Sequence, residues 1–314
     1  NRRSMTATTV GVVGLGRMGG NMAHRLLEEG LDVIGADLDE TAVDALEAAG
    51  GDGRSSPAVV AAESDVVVSS LPDPPTVEAV YTAEDGLLSG ADGRTAILET
   101  STIDPDTIES LAATAHSQDV EVLGAPVSGG PEDSREGTLT IMVGGDRSAF
   151  DREDVRAVLE ALGRNVYHVG EVDAGHTLKL MNNVMSMGNL LLAMETASFG
   201  AERGVDGEVM FDVLSNAGGA SNQFRKRVPR ALNRNFEPGF PVDLGRKDLG
   251  LAIETATRME LPMQAASVVH RLFVAASARG YGDEDAAALV KLFEEYTDAI
   301  VEADSRIDET FEGY

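Results

Sequence analysis

The residues of this chain best suited to chemistry are a lysine and an asparagine four positions apart, Lys179 and Asn183. They fall in a proline-free segment whose apolar residues recur at helical spacing, so both side chains project from one face of a predicted helix. A partly desolvated lysine can give a proton to a carbonyl oxygen and remove it in the reverse direction. We predict Lys179 as a general acid/base with Asn183 as its partner; a solvated surface lysine is the alternative.

A glycine-rich turn near the start of the chain is typical of dinucleotide binding. It follows the apolar run at residues 10–13 and leads into a helix-patterned segment, and Asp37 lies 18 residues beyond Gly19 after a second apolar stretch. Strand, glycine turn, helix, strand and acidic residue in this order can hold a pyrophosphate on the N–H groups of a helix N-terminus. The predicted contacts are Gly14, Leu15, Gly16, Arg17, Met18, Gly19 and Asp37.

Asp37 also indicates which dinucleotide binds. A carboxylate at the end of the second strand accepts hydrogen bonds from ribose hydroxyls and repels a 2′-phosphate. Residues 38–40 add negative charge and supply no arginine. NAD is therefore predicted, with NADP less favoured, unless Asp37 is simply a solvated residue at a strand end.

Two further segments carry candidate contacts. Ser128, Gly129 and Gly130 end a predicted strand with small residues whose N–H groups can point together, an arrangement that suits a carboxylate. A plain glycine turn is the alternative. Lys247 opens another helical segment and could reach a cofactor or substrate, unless it is a solvated residue at a helix start.

The two halves of the chain have different patterns. The first half alternates short apolar runs with helical segments, which predicts an α/β domain with a parallel sheet, and from Gly175 onward the pattern is all-helical. We place the boundary between domains 1–172 and 173–314 and expect a substrate cleft there. Expected strands lie at 10–13, 33–36, 65–71, 95–99, 121–123, 139–143 and 165–169, and expected helices at 41–50, from Pro105, and at 179–203, 207–215, 246–259, 264–279 and 286–303.

The charge balance is strongly acidic. Fifty-three Asp and Glu face 25 Lys and Arg, of which four are lysine, giving a formal net charge of −28. Such a field argues against nucleic acid and anionic membrane as partners. Because screening ions would relieve the self-repulsion, we hypothesise a halophilic protein that is more stable in molar KCl than in dilute buffer. An ordinary acidic protein is the alternative.

Several other classes are disfavoured by composition. The chain has no cysteine, its five histidines lack metal-ligand spacing, and no serine has a convincing histidine and acid partner, so neither a metal site nor a nucleophilic triad is expected. The apolar runs are too short for a membrane span. Residues 1–4 precede Met5 without an apolar signal region, so we expect a cytoplasmic location.

Four sequence blocks in a fixed order resemble the β-hydroxyacid dehydrogenase family. The resemblance extends from Val10 to about Glu302, and the blocks are highly specific only in combination. They are Gly14 to Ala23, Ala125 to Gly130 with Gly137-Thr138-Leu139, Gly175 to Asn183, and Lys247-Asp248-Leu249.

This resemblance implies a fold, a reaction and further contacts. The implied fold is a Rossmann-type domain joined by a long interdomain helix to an all-α domain that mediates homodimers or homotetramers. Lys179 would be the catalytic acid/base with Asn183 as its partner, Ser128-Gly129-Gly130 the substrate carboxylate site and Lys247 a cleft contact. Cofactor contacts are also implied at Leu71, Pro72, Thr76 and Thr102.

The chain departs from the family pattern at three places, which leaves the substrate open. Gly124 stands where the family usually has aspartate, Asp173 replaces a common glycine, and residues 131–134 are more acidic than usual. The predicted reaction is NAD-dependent hydride transfer on a small 3-hydroxy acid or its semialdehyde, of 3-hydroxyisobutyrate or 2-hydroxy-3-oxopropionate type.

Two alternatives remain open. One is a decarboxylating 6-phosphogluconate dehydrogenase, whose phosphate would need a cationic pocket such as Arg225-Lys226-Arg227. The other is a non-catalytic nucleotide-sensing protein of the same fold.

Overall fold

The computed structural model describes residues 8–309, so residues 1–4, where we expect no targeting segment, lie outside it. The chain forms two compact units, one ending at Lys179 and one beginning at Leu180. This boundary falls inside a long helix, whereas the predicted boundary at 172/173 precedes that helix. The division of the chain into domains at 172/173 stays a prediction.

The first unit contains a nine-stranded sheet. The strands are β1 (Thr9–Val13), β2 (Asp32–Ala36), β3 (Asp52–Gly53), β4 (Val66–Ser69), β5 (Ala96–Glu99), β6 (Glu121–Gly124), β7 (Val127–Ser128), β8 (Leu139–Gly144) and β9 (Gly163–Gly170). Their order is β3-β2-β1-β4-β5-β6-β8-β7, with β9 also paired to β8. The first six strands in this order are parallel, and β8 runs antiparallel to β6 and β7. The predicted α/β class is confirmed.

Helices connect these strands, and several begin where local sequence signals place them. They are α1 (Gly19–Glu28), α2 (Glu40–Ala48), α3 (Pro57–Glu63), α4 (Pro74–Thr82), α5 (Leu87–Gly90), α6 (Pro105–His116), α7 (Pro131–Glu136), α8 (Arg147–Phe150) and α9 (Glu153–Leu162). The carboxylate of Asp104 accepts the N–H of Thr107, and Pro105 follows at the first helical position. The predicted start of α6 is therefore confirmed.

Both faces of the sheet are buried. On β4, Val66 and Val68 join one apolar cluster, and Val67 joins another. The first cluster also takes side chains from α1 and α9, and the second takes side chains from α3, α4 and α6. Because alternate residues face opposite sides of a strand, helices on both faces explain why these strands are apolar runs without alternation.

The second unit is helical. Helix α10 (Ala174–Glu202) runs from the first unit into the second and is followed by α11 (Gly207–Ser215), α12 (Asn222–Leu232), α13 (Val242–Arg258), α14 (Gln264–Ala276), a π-helical turn (Ser277–Tyr281), a 3₁₀ turn (Ala286–Leu289) and α15 (Val290–Glu294). Met194 on α10, Leu249 on α13 and Phe273 on α14 belong to one buried apolar cluster. The all-helical prediction for this half is confirmed.

Helix boundaries differ from the predictions at several places, and α13 begins at Val242, four residues before the predicted start at 246. Helix α10 begins five residues earlier than predicted, at Ala174. The helix predicted at 286–303 ends at Glu294, whose carboxylate accepts the N–H of Val301 and pairs with Arg234, so tertiary bonds override the helical pattern. The helix predicted at 264–279 gives way to the π-helical turn, where Gly280 has φ of 88°.

Helix α12 was not predicted. Its sequence holds three consecutive basic residues and an interior proline, Pro229, which reads as a helix breaker. Phe224 and Val228 of this helix are buried in the helical core, and this packing outweighs the proline.

Candidate active site

The glycine-rich turn lies between β1 and α1, and its three glycines have different structural reasons. Gly14 has φ of 87°, and a Cβ there would strike the Ser70 carbonyl. A Cβ at Gly19 would strike the Gly14 carbonyl. A Cβ at the exposed Gly16 would meet no atom of the chain within 4 Å, so folding does not require that glycine. Its absence of a side chain instead fits the close approach of a ligand to the backbone.

The N-terminus of α1 suits an anion. Met18 precedes the helix and its side chain makes no capping hydrogen bond. Backbone N–H groups at a helix N-terminus, together with the helix dipole, stabilise phosphate groups. The turn at residues 14–19 therefore fits the pyrophosphate of a dinucleotide.

Asp37 lies at the end of β2, beside this turn. Its Oδ2 accepts the N–H of Leu15 at 2.6 Å, and its Oδ1 accepts the N–H of Asp39 at 2.9 Å. Each carboxylate oxygen has two lone pairs, so Asp37 can still accept hydrogen bonds from a ribose. The exposed residues 38–40 that follow contain two further acids and no cation, which disfavours a 2′-phosphate.

The turns that follow β4 and β5 lie at the same edge of the sheet. Strands β2, β1, β4 and β5 are parallel neighbours, so their carboxyl ends bring together Asp37, the glycine turn, Leu71 and Thr102. The Leu71 N–H donates to Ser101 Oγ at 2.7 Å, which connects the two later turns. Thr76 lies in the first turn of α4, where its N–H donates to Asp73 Oδ1 at 2.9 Å.

The turn at Ser128 to Gly130 differs from the expected cluster of free N–H groups. Ser128 ends β7, and Gly129 has φ of 137°. The Gly130 N–H donates to Asp133 Oδ2 at 2.6 Å, which caps α7 from within that helix. While this bond is made, the Gly130 N–H cannot bind a substrate carboxylate, and a negative charge lies beside the turn. The acidic departure at residues 131–134 thus changes the turn itself.

Helix α10 begins against the sheet. A Cβ at Gly175 would lie 2.8 Å from the Gly124 carbonyl and 3.2 Å from Pro126 Cδ, so this glycine allows the first turn to pack on the segment joining β6 and β7. Lys179 follows one turn later and is half-buried. Asn183, four residues further along the same helix, is 4% exposed.

His176 explains the glycine at position 124. Its ring is fully buried, and a Cβ at Gly124 would lie 2.8 Å from Nδ1. Burial lowers the pKa of His176 to about 3, opposed by the backbone of Ser101 and the charge of Asp104. The imidazole is therefore neutral at physiological pH and occupies the space that a side chain at position 124 would need.

Asp248 is a functional candidate that the sequence interpretation did not single out. Asn183 Nδ2 donates to Asp248 Oδ2 at 2.8 Å, and Lys247 Nζ lies 3.1 Å from Asp248 Oδ1. Asp248 is 2% exposed. One buried carboxylate thus orients the amide of Asn183 and neutralises Lys247. Its position beside Lys247 in the Lys-Asp-Leu block was the only available signal.

The basic cluster at residues 225–227 does not form an open phosphate pocket. Arg227 is buried and pairs with Asp285, which is also buried. Arg225 donates to the Ser215 carbonyl at 2.8 Å, and Lys226 alone is exposed. This geometry removes the main support for the 6-phosphogluconate alternative.

Comparisons with known proteins show the family of this chain. Residues 9–170 match the family model for the NAD binding domain of 6-phosphogluconate dehydrogenase, and residues 173–293 match the model for NAD-binding of NADP-dependent 3-hydroxyisobutyrate dehydrogenase. The chain is 34% identical to the 2-(hydroxymethyl)glutarate dehydrogenase of Eubacterium barkeri, covering 92% of this chain and 95% of that one. The chain belongs to the β-hydroxyacid dehydrogenase family. It is an NAD-binding oxidoreductase that transfers hydride at the hydroxyl-bearing carbon of a small hydroxy acid.

Further relatives of the family are equally similar. The L-threonate dehydrogenase of Escherichia coli K12 is 35% identical, covering 90% of this chain and 94% of that one. A solved structure of Mycobacterium tuberculosis 3-hydroxyisobutyrate dehydrogenase with L-serine has a TM-score of 0.84 and 31% identity, covering 91% of this chain and 99% of that one. The fold class and the predicted enzyme class are confirmed, which leaves no reason to favour a non-catalytic protein.

The described part of the chain has neither a membrane-spanning helix nor a cluster of metal ligands. Within residues 8–309, no helix is both long and apolar enough to cross a membrane. Across the same residues, no group of three or more potential side-chain ligands could hold a metal ion.

Proposed function

We propose that the substrate is a small 3-hydroxy acid or its semialdehyde, of 3-hydroxyisobutyrate or 2-hydroxy-3-oxopropionate type. The relatives named for 2-(hydroxymethyl)glutarate and 3-hydroxyisobutyrate act, by those names, on acids with a hydroxymethyl group next to the carbon that bears a carboxylate. A catalyst for such a molecule needs a proton carrier at the hydroxyl, a carboxylate site and a bound hydride acceptor.

Lys179 is the proposed proton carrier, and the observation that carries this assignment is its spacing from Asn183. The two residues share a face of α10, and Asp248 fixes the amide of Asn183. In oxidation Lys179 Nζ takes the hydroxyl proton, and in reduction it returns that proton to the carbonyl oxygen. NAD, when bound, accepts or returns the hydride. The Asn183 amide orients either the reacting oxygen or Lys179 for this proton transfer.

The proposed cofactor contacts are the turn at residues 14–19, Asp37, Leu71, Pro72, Thr76 and Thr102, with Lys247 as a further contact. Their support is the shared edge of four parallel strands and the open approach to Gly16. Ser128, Gly129 and Gly130 are the proposed substrate carboxylate site, where the Ser128 hydroxyl supplies one donor. The hydrogen bond from Gly130 to Asp133 competes with this role.

The assay that tests this function is a panel of 3-hydroxy acids and semialdehydes with NAD(H) and NADP(H) in molar KCl. We expect turnover of at least one hydroxymethyl acid and a preference for NAD, because of the Asp37 carboxylate. Release of CO₂ from 6-phosphogluconate, with no turnover of the panel, would contradict the proposal. A preference for NADP would contradict only the role of Asp37.

A homodimer or homotetramer is the proposed assembly. Met181, Met185, Leu192 and Phe199 lie on one face of α10 with 55–69% of each side chain exposed. An apolar stripe of this length is unusual on a monomer, and a second copy presents the same stripe across a twofold axis. Light scattering after size exclusion should give at least twice the monomer mass, and Met185→Glu with Leu192→Glu should reduce it. A monomeric wild-type protein would contradict this assembly.

We further propose a halophilic protein, which the acidic composition of the chain supports, and the cytoplasmic location stays a prediction. Screening by salt should raise the melting temperature between dilute buffer and molar KCl, because net self-repulsion falls. A melting temperature that does not rise with KCl would contradict this part of the proposal.

A further inference from the structure

A carboxyl group is buried at the edge of the sheet where the cofactor turns begin. Glu99 ends β5 and is 0% exposed, with Ser69 of β4 and Gly124 of β6 as its neighbours in register. Burial raises the pKa of Glu99, opposed by its hydrogen bond from Ser101. Because an acid in this position costs free energy that an apolar residue would not, Glu99 calls for a reason beyond packing.

Hydrogen bonds connect Glu99 to both later turns. Glu99 Oε1 accepts the N–H of Ser101 at 2.7 Å, and Ser101 Oγ accepts the N–H of Leu71 at 2.7 Å. Glu99 thereby fixes the backbone immediately before Thr102. Through Ser101, it also fixes the turn that begins at Leu71.

The Leu71 turn in turn supports the glycine-rich turn. The Ser70 N–H donates to the Val13 carbonyl at 2.9 Å, and the Ser70 carbonyl packs directly against Gly14. A displacement of Leu71 would therefore also move Ser70 and shift the backbone at Gly14. Glu99, Ser101 and Leu71 form a continuous path from the sheet core to the proposed pyrophosphate site.

We propose that Glu99 is a positioning residue for the cofactor, acting through Ser101 on the turns that carry Leu71 and Thr102. This inference rests on the proposed cofactor contacts and does not depend on the identity of the hydroxy acid. Glu99 holds the backbone and does not touch the cofactor. Its removal leaves the Ser101 N–H unpaired in a buried site, which allows both turns to shift.

The experiment measures NADH affinity by fluorescence titration of the purified full-length chain in molar KCl, alongside thermal melts. Glu99→Ala should raise the Kd for NADH about tenfold. Glu99→Gln should restore it to within about twofold, because its amide oxygen still accepts from Ser101 and its NH₂ donates where a carboxyl proton would. Ser101→Ala, which removes the acceptor for the Leu71 N–H, should raise the Kd by a few-fold.

Thr95→Val is the matched control. Thr95 is buried beside the other end of β5, where its hydroxyl donates to the carbonyls of Ala61 and Ser64. This variant should lower the melting temperature without changing the Kd for NADH. It separates general loosening of the strand from loss of the path to the turns.

Three results would overturn the proposal. They are an unchanged Kd in Glu99→Ala, an equal rise in Thr95→Val, and a failure of Glu99→Gln to restore affinity. If Glu99→Ala does not fold, an unchanged Kd in Ser101→Ala overturns it instead. A wild-type chain that binds NADH but turns over none of the hydroxy acids would count against the proposed function and leave this test intact.

Discussion

The cofactor edge of the first unit and the polar group around Asp248 in the second unit are held in place by different means. At the edge, Gly14 and Gly19 allow the close backbone contacts of the turn, and each strand ends in its turn at the same side of the sheet. Around Asp248, two side-chain contacts at 2.8 and 3.1 Å place Asn183 and Lys247. The geometry of the first region is set by the path of the backbone, whereas that of the second is set by the two carboxylate oxygens of Asp248.

This difference predicts which substitutions affect binding and which affect chemistry. Backbone-held turns tolerate changes of side chain that leave the glycines and strand ends intact. Groups held by one carboxylate lose their orientation when a single side chain is cut. Cofactor affinity should therefore follow the first region, and turnover should follow the residues on α10 and their partners.

Replacement of Lys179 is the sharpest test of this separation. Lys179→Ala should lower kcat by about 10² or more, because no group remains to carry the hydroxyl proton. The Kd for NADH should stay within about twofold of wild type, since the cofactor turns are unchanged. Steady-state kinetics and NADH titration together measure the two effects.

Lys226→Ala is the control for the loss of a lysine. Lys226 is exposed on α12, and its replacement should leave kcat unchanged. If Lys179→Ala retained a third or more of the wild-type turnover, the acid/base role would be wrong.

His176 tests whether the start of α10 is anchored by burial. Its pKa is lowered from about 6.5 in the unfolded chain to about 3 in the folded one. The unfolded state therefore binds more protons below pH 6.5, so the stability from this site is complete above that pH and is lost as the pH falls toward 3. Between pH 7 and pH 5 this loss is about 2 kcal/mol.

Urea unfolding at pH 7 and pH 5 measures this loss. His176→Gln should lose about 2 kcal/mol less than wild type over the same interval, whatever its stability at pH 7. The exposed His116, replaced by Gln, should leave the wild-type pH dependence nearly unchanged. Equal pH dependence in His176→Gln and wild type would mean that the imidazole is not buried as a neutral group.

Asp248 tests the side-chain-held region directly. Asp248→Ala should lower kcat/KM about tenfold, because Asn183 loses its partner and Lys247 its counter-ion. Asp248→Asn should recover part of this loss, since its amide oxygen still accepts from Asn183. Asp243→Asn, on the same helix but half exposed, should change little. If Asp248→Ala and Asp248→Asn were equally impaired, Asp248 would not act by orienting Asn183.

Much of the fold could be predicted because its signals are local. The start of α6 depends on Asp104 and Pro105, which act within one turn, and central strands such as β1 and β4 are short apolar runs. The prediction of a helix to residue 303 was wrong because the Glu294 carboxylate bonds to Arg234, which is remote in sequence, and to Val301, which lies outside the helix. Helix α12 was missed because its interior proline disfavours a helix in sequence, and only its packing in the core stabilises the helix.

The same distinction applies to the candidate site. The glycine turn and Asp37 form a contiguous motif whose geometry follows from chain order. Asp248 was missed because its partner Asn183 is 65 residues away, and an acid next to a lysine reads as a surface pair. Glu99 was missed because an acid at the end of an apolar run reads as a solvated strand end, whereas here it is buried.

Replacement of Asp133 should have the smallest effect on activity. Its site combines the two kinds of support, because the Asp133 side chain accepts a hydrogen bond from the backbone N–H of Gly130. Asp133→Asn keeps an oxygen that accepts from Gly130 and removes a negative charge beside the proposed carboxylate site. The KM for the hydroxy acid should fall about threefold at low salt and less in molar KCl, because salt screens that repulsion. Glu132→Gln, an exposed neighbour in α7, is the control and should change KM less. If Asp133→Asn left KM unchanged at every salt concentration, the substrate carboxylate would not bind at Ser128 to Gly130, and the acidic departure at residues 131–134 would matter only for capping α7.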